Sequence, residues 1–288
     1  MHTSTLIFES LENDFVILNV DTSWAILRVS LYGGQILCWQ PKTEINPVLW
    51  LSSSAQYQYG KAIRGGVPVC WPWFGNHPVD SLQPSHGFAR LSTWVIREIK
   101  TLSDGEVSIV LSLDRVKVGP NSFADLRLHI TMGIALKISL ITINRSSHQI
   151  IFTEGLHTYF MISDIENIYI TGLCGSEYIN MYDGNNKSIQ IEEIRFVEGL
   201  CKIFCKNESD CIIKDPGMGR QIKIEKSGSF TTAIWSPGLN VAQGMVDIGD
   251  WRSMVCVESA NALSDEVTLM PGKSHIHSVI YSVQSLVE

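Results

Sequence analysis

The chain has 288 residues, 45% of them hydrophobic and 18% charged, proportions that exclude a disordered chain. Lys and Arg number 22 against 29 Asp and Glu, a formal net charge of −7. That balance argues against nucleic acid or an anionic membrane as the main partner, but leaves room for a small anion held by one or two arginines.

In chain order, the opening segment MHTSTLIFESLENDF carries acids early and lacks a long apolar stretch, so it is not expected to be a signal peptide. Short runs rich in β-branched and aromatic residues then predict strands at 15–20, 25–31 and 35–39. Further strands are expected at 93–99 and 106–113, around a Ser-Asp-Gly turn. The stretch 126–146 holds Leu126, Leu128 and Ile130 on one face before a turn at Gly133. Its most apolar part, Gly133 to Ile143, is interrupted by Lys137 and is too short to span a bilayer. More strands are expected at 149–153, 167–172, 200–205, 221–225, 231–235, 254–258 and 276–283, with an exposed loop at 182–188. No stretch holds helical periodicity over several turns, and no linker or repeat divides the chain. The expectation is an all-β protein, a sandwich of two large antiparallel sheets, forming a single domain over 1–288.

Seven cysteines lack disulfide-like spacing, which suits free thiols and a cytoplasmic location. Cys201, Cys205 and Cys211 cluster without a CxxC pair or nearby histidines, so no zinc is assigned to them. His275 and His277 would share one strand face, but no third ligand is in view; they are read as surface histidines and no metal is assigned.

Three polar features stand out from the strand pattern. IRGGVPVCWPWFG (63–75) and PSHGFAR (84–90) set Arg64 and Arg90 in turn-rich stretches beside Trp71, Trp73 and Phe74. Core packing is expected for at least one of the three rings. Arg64 is either an anion ligand or a structural arginine bonded to loop carbonyls. FTEGLHTYF (152–160) holds His157, which is either satisfied by backbone groups or a general acid. In MVCVESAN (254–261), strand alternation turns Cys256 and Glu258 one way and Val255 and Val257 the other. Glu258 then either lies at a sheet edge in water or is held for a purpose.

IRGGVPVCWPWFG, HGFAR, EGLHTYF, ITGLCGSEY (170–178), AIWSPG (233–238) and VCVESAN follow one another in the order of the hexose-6-phosphate mutarotases. The chain resembles this glucose-6-phosphate 1-epimerase branch of the aldose 1-epimerase (galactose mutarotase-like) superfamily from about Gly33 to Pro271. The resemblance implies a large antiparallel β supersandwich, His157 and Glu258 as catalytic residues, and Arg64 and Arg90 as substrate-binding arginines. It also implies a pocket role for His86 and a polar contact at Ser85, where relatives often carry Gln. Where relatives carry an acid in an E-x-D-x-I-Y stretch, Cys201 stands here, with Glu198 as the alternative under a shifted alignment.

The implied reaction interconverts the α and β anomers of an aldohexose 6-phosphate through the open-chain aldehyde. Ionised Glu258 takes the anomeric hydroxyl proton and protonated His157 gives one to the ring oxygen, each charge favouring the other. No cofactor is expected, the partner is a small hexose phosphate, and the chain is expected to be a monomer or weak oligomer. A non-catalytic sugar-phosphate sensor and a mutarotase for unphosphorylated aldoses are the alternatives.

Overall fold

A computed structural model describes residues 4–11 and 14–286. Strands dominate it, and every pairing between them is antiparallel. One eight-stranded sheet runs, in spatial order, Tyr169–Thr171, Cys211–Asp215, Arg220–Ser227, Ser274–Ser285, Leu136–Asn144, Ser122–Met132, Val107–Gly119 and Val95–Thr101. The other runs Asn186–Ile189, Glu177–Asn180, Leu200–Phe204, Thr231–Ser236, Met254–Asn261, Glu154–Leu156 and Val69–Cys70. Tyr159–Met161 also pairs with Met254–Asn261, beyond the end of Glu154–Leu156. A four-stranded sheet over Thr5–Ser10, Val16–Asp21, Ala25–Ser30 and Gln35–Pro41 packs against the same core. This is the antiparallel β supersandwich.

The sequence pattern explains which faces are covered. Leu136–Asn144 alternates strictly, with Leu136, Ile138, Leu140, Thr142 and Asn144 buried, so one face meets the opposite sheet. Burying each such aliphatic side chain is worth roughly 1.5–3 kcal/mol. Met254–Asn261 is buried at every position, as a strand covered on both faces must be. Its Val255 and Val257 join the main core, while Met254 and Cys256 belong to a separate apolar cluster on the other face with Trp50 and Tyr159. Arg220, also buried, ties the sandwich to a flanking loop. Its guanidinium donates to Glu44 Oε2 and to the carbonyls of Asn46, Pro47 and Met161 at 2.9–3.2 Å.

Several expectations are corrected. The stretch 182–188 is not wholly loop: Asn186–Ile189 is a strand paired with Glu177–Asn180, exposed throughout. Thr5–Ser10, Cys211–Asp215 and Glu177–Asn180 are strands whose polar or short character hid them. The Gly/Pro-rich segment after Trp235 includes a short helix, Gly238–Ala242. His277 is not at the surface. It is fully buried between the sheets, its Nε2 2.8 Å from Ser259 Oγ and its Nδ1 3.6 Å from Glu154 Oε1. No helix among the described residues is long and apolar enough to cross a membrane.

Candidate active site

Met254–Asn261 lies inside its sheet, so Glu258 is not at a water-facing edge; it is 3% exposed. Strand pairing puts the small Ala233 opposite it. His157 comes from the break between Glu154–Leu156 and Tyr159–Met161. There its backbone N–H donates to Pro68 O at 3.0 Å. The next residue, Thr158, turns inward and bonds Tyr281 OH at 2.6 Å, which leaves the imidazole on the outer face with Glu258. His157 Nδ1 and Glu258 Oε2 stand 3.5 Å apart, and neither has a hydrogen-bond partner.

Across the sheet, Tyr159, Cys256, Trp235 and Cys201 occupy directly paired positions and therefore share that face. The Tyr159 ring stacks on His157 at 4.9 Å between centroids, and Trp235 meets the imidazole edge-on at 6.2 Å. His86 approaches from the other side, 5.1 Å from the His157 ring. Its Nδ1 accepts the Gly75 N–H at 3.2 Å, so the neutral ring carries its proton on Nε2. His86 itself has φ +62, followed by Gly87 at +72. A Cβ at Gly87 would lie 2.1 Å from Trp71 O, so this turn needs glycine.

The two arginines differ. Arg64 donates from Nε to Asp247 Oδ2 at 3.2 Å and from Nη1 to Tyr159 OH at 3.0 Å, not to loop carbonyls. Arg90 donates from Nη2 to Ser85 O at 2.6 Å, and its buried Nε has no partner. Ser85 turns its own hydroxyl to Gly75 O at 3.4 Å. Of the three rings in the 63–75 segment, Trp71 is fully buried in the core. Trp73 binds Pro84 O, and Phe74 packs edge-on against His86 at 5.1 Å.

Burial governs the protonation of the pair. It pushes the Glu258 carboxyl well up, opposed by the Arg90 cation. It pushes the His157 imidazole well down, aided by His86, Arg90 and Arg64. Burial, then Arg90 and Arg64, bring His86 to about 3. Burial therefore opposes the charged form of each partner, carboxylate and imidazolium alike, against the mutual support expected of an oppositely charged pair. The neutral and ionic forms differ only by the position of one proton across the 3.5 Å gap.

Cys201 faces the site beside Trp235, its thiol pushed up to about 12 by burial and then by Glu258. Glu198 instead lines a cleft of about 600 Å³ with Pro237, Trp251 and Tyr182, whose hydroxyl accepts the Trp235 indole N–H at 2.8 Å. A second cleft of the same volume, around Lys187 and Cys205, shares no residue with the pair. Sequence reasoning missed Trp235 and Cys256 as neighbours of the pair, and Asp247 as the partner of Arg64. Cys256 carried a signal in its strand alternation with Glu258, and Trp235 one in the AIWSPG motif; Asp247 carried none.

Fold and site together define a protein of the mutarotase type, a broad antiparallel β sandwich with a buried carboxyl–imidazole pair beside two guanidinium groups. The chain belongs to the aldose 1-epimerase family, whose profile matches residues 25–282, and an aldose-epimerising activity follows from that membership. An Escherichia coli K12 relative named "Putative glucose-6-phosphate 1-epimerase" is 32% identical over 86% of this chain and 83% of its own length. A relative of the same name from Cenchrus ciliaris is 31% identical, covering 85% of this chain and 78% of its own. A Salmonella typhimurium structure described as a putative mutarotase superposes with a TM-score of 0.88 at 26% identity, over 97% of this chain and 94% of that one.

Proposed function

We propose that this chain interconverts the α and β anomers of an aldohexose 6-phosphate, with glucose 6-phosphate the first candidate, and that one domain over residues 1–288 carries the site. The observation that carries the reading is the approach of His157 Nδ1 to Glu258 Oε2 at 3.5 Å, from positions far apart in sequence. Names of relatives support the phosphorylated substrate.

In the proposed mechanism the Glu258 proton first passes to His157, which creates a carboxylate and an imidazolium without changing the net charge. The bound phosphate dianion favours that imidazolium, while Arg64 and Arg90 offset the phosphate charge. Glu258 takes the proton from the anomeric hydroxyl as His157 gives one to the ring oxygen, and the ring opens. Rotation about the C1–C2 bond presents the other carbonyl face. Reversal of both transfers closes the ring as the other anomer. His86, neutral, donates its Nε2–H to a sugar hydroxyl, and Ser85 supports Arg90 through its carbonyl. These steps require no cofactor. A cytoplasmic location fits the seven free thiols, and the net charge of −7 fits a small anionic ligand and no nucleic acid. The monomer or weak oligomer remains part of this proposal.

Exchange spectroscopy on glucose 6-phosphate tests it. The wild type speeds anomer exchange above the buffer rate, and His157→Ala or Glu258→Gln each lower the enzymatic rate by about a hundredfold to ten-thousandfold. Binding without faster exchange overturns catalysis in favour of a sugar-phosphate sensor. That second reading draws on Cys201, a neutral thiol facing the site where the resembled family carries an acid. Equal acceleration of glucose and its 6-phosphate instead supports a mutarotase for unphosphorylated aldoses.

A further inference from the structure

Cys256 takes no part in the proposed proton transfers, yet it is fully buried on the strand face that carries Glu258, two residues away. His157, Cys256 and Glu258 each present one ligand atom, and the three atoms lie within 4.8 Å of one another. His157 Nδ1 and Glu258 Oε2 are also buried and without a hydrogen-bond partner. Zinc bonds to nitrogen, oxygen and sulfur of about 2.0–2.3 Å give a tetrahedron with edges of roughly 3.4–3.6 Å. The His157–Glu258 separation of 3.5 Å already matches one such edge. The other two separations lie within 4.8 Å, so closing them to such edges takes no more than about 1.2–1.4 Å of side-chain adjustment each.

We infer that these three side chains bind a thiophilic divalent cation, zinc or cobalt, and that the ion inhibits the enzyme by occupying both proton-transfer groups. The donor set decides the class of metal. One thiolate, one imidazole and one carboxylate suit zinc and cobalt, whereas magnesium and calcium take oxygen ligands. Charge balances too: thiolate and carboxylate neutralise the dication, so the complex enters the water-poor site without net charge. Two protons leave for solvent, the thiol proton and the one that Glu258 and His157 hold between them. Three protein ligands leave a fourth position open to water or a sugar hydroxyl. Inhibition rests on the function proposed above; binding does not.

Two other thiols face the same region and provide internal controls. Cys70 Sγ lies 3.4 Å from His86 Nδ1, and Cys201 is separated from Cys256 by Trp235 in the strand register.

The test titrates the full-length protein with cobalt(II) in a phosphine reductant. The expected result is one equivalent bound, with a thiolate-to-cobalt charge-transfer band in the near ultraviolet and the intense visible bands of four-coordinate cobalt, both abolished by zinc. Cys256→Ser loses the charge-transfer band and weakens zinc binding by more than the roughly 10–100-fold typical of outer-shell changes. Cys70→Ser and Cys201→Ser keep both properties, and circular dichroism confirms that each variant is folded. A wild-type titration without the band overturns the site, and so does loss of the band in either control in place of Cys256→Ser. In the kinetic arm, zinc slows wild-type anomer exchange, and Cys256→Ser requires at least about tenfold more zinc for the same fractional loss of its own rate. Zinc binding that leaves exchange unchanged overturns the inhibitory role. A metal-free wild type without exchange activity counts against the proposed function and leaves the spectra to judge the metal site.

Discussion

Arg64 and Arg90 carry the same charge into the same region, but they differ in what already holds them. Arg64 is committed to Asp247 and Tyr159, so its role joins positioning of the ring that stacks on His157 to any contact with an anion. Arg90 keeps a buried Nε without a partner, an unmet donor that an anionic oxygen would satisfy. Arg90→Ala is therefore expected to lower kcat/KM for glucose 6-phosphate by about tenfold to a hundredfold, the size of a lost charged hydrogen bond. The loss for free glucose is expected to be much smaller. Arg64→Ala strands Asp247 and is expected to weaken turnover of both sugars. Progress curves with the two substrates separate these outcomes, and an equal loss for both sugars in Arg90→Ala contradicts the phosphate assignment. Lysine at position 90 restores only part of the loss, because an ammonium lacks the planar fork.

Among the elements, the turn that carries His86 is the most constrained piece of the site. His86 N–H donates to Gly75 O at 2.6 Å, and the Gly75 N–H returns to His86 Nδ1 at 3.2 Å, so the two ends of the segment are clasped. The clasp depends on Gly87, which lies against the Trp71 carbonyl at φ +72. Gly87→Ala is expected to cost roughly 1–3 kcal/mol for the backbone alone, with the clash added, and to lower Tm by about 3–10 °C. Gly60→Ala is the control: φ is +82 there, but nothing lies within 4 Å of the added Cβ. Calorimetry on the pair separates the clash from the φ cost, and equal Tm losses would mean that the turn relaxes freely. Both stretches were legible as turns from their Gly, Pro and Ser content. That the two meet was implied by the family resemblance alone, because the contact is a backbone approach that leaves no periodic trace.

For the whole molecule, the inter-sheet space holds a second carboxyl–imidazole pair, Glu154 and His277, directly behind the strand that carries Glu258. His277 reaches Ser259, the neighbour of Glu258, and Ser259 Oγ reaches Ser229 Oγ at 2.6 Å. Burial raises Glu154 to about 8 and lowers His277 to about 3, the latter also disfavoured by His275 and Lys226. In the unfolded chain these groups titrate near 4.5 and 6.5. Between about 3 and 6.5 the unfolded His277 binds more protons than the folded one, so its share of stability grows with pH. Between about 4.5 and 8 the folded Glu154 binds more protons, so its share falls as pH rises. The two slopes cancel from about 4.5 to 6.5, so this pair adds an acid arm below that window and an alkaline arm above it. Denaturant midpoints between pH 6.5 and 8 are expected to fall in the wild type. Glu154→Gln should remove up to about 1.4 kcal/mol per pH unit from that slope. An unchanged slope in the variant would show that Glu154 is already ionised in the folded protein.

What the sequence determined by itself was local in origin. Alternation in MVCVESAN separated Cys256 and Glu258 from the two valines, and short β-branched runs specified antiparallel sheets. Ordered motifs singled out His157, Glu258, Arg64 and Arg90. Tertiary structure decided what depends on distance and dielectric. It brought His157 to 3.5 Å from Glu258, gave Arg64 its Asp247 partner, and took His277 from an expected surface position into full burial. It also set burial against the charged form of both Glu258 and His157. Side-chain periodicity is written into neighbouring residues, whereas the cost of a charge is set by everything packed around it, and only the folded sheets supply those surroundings.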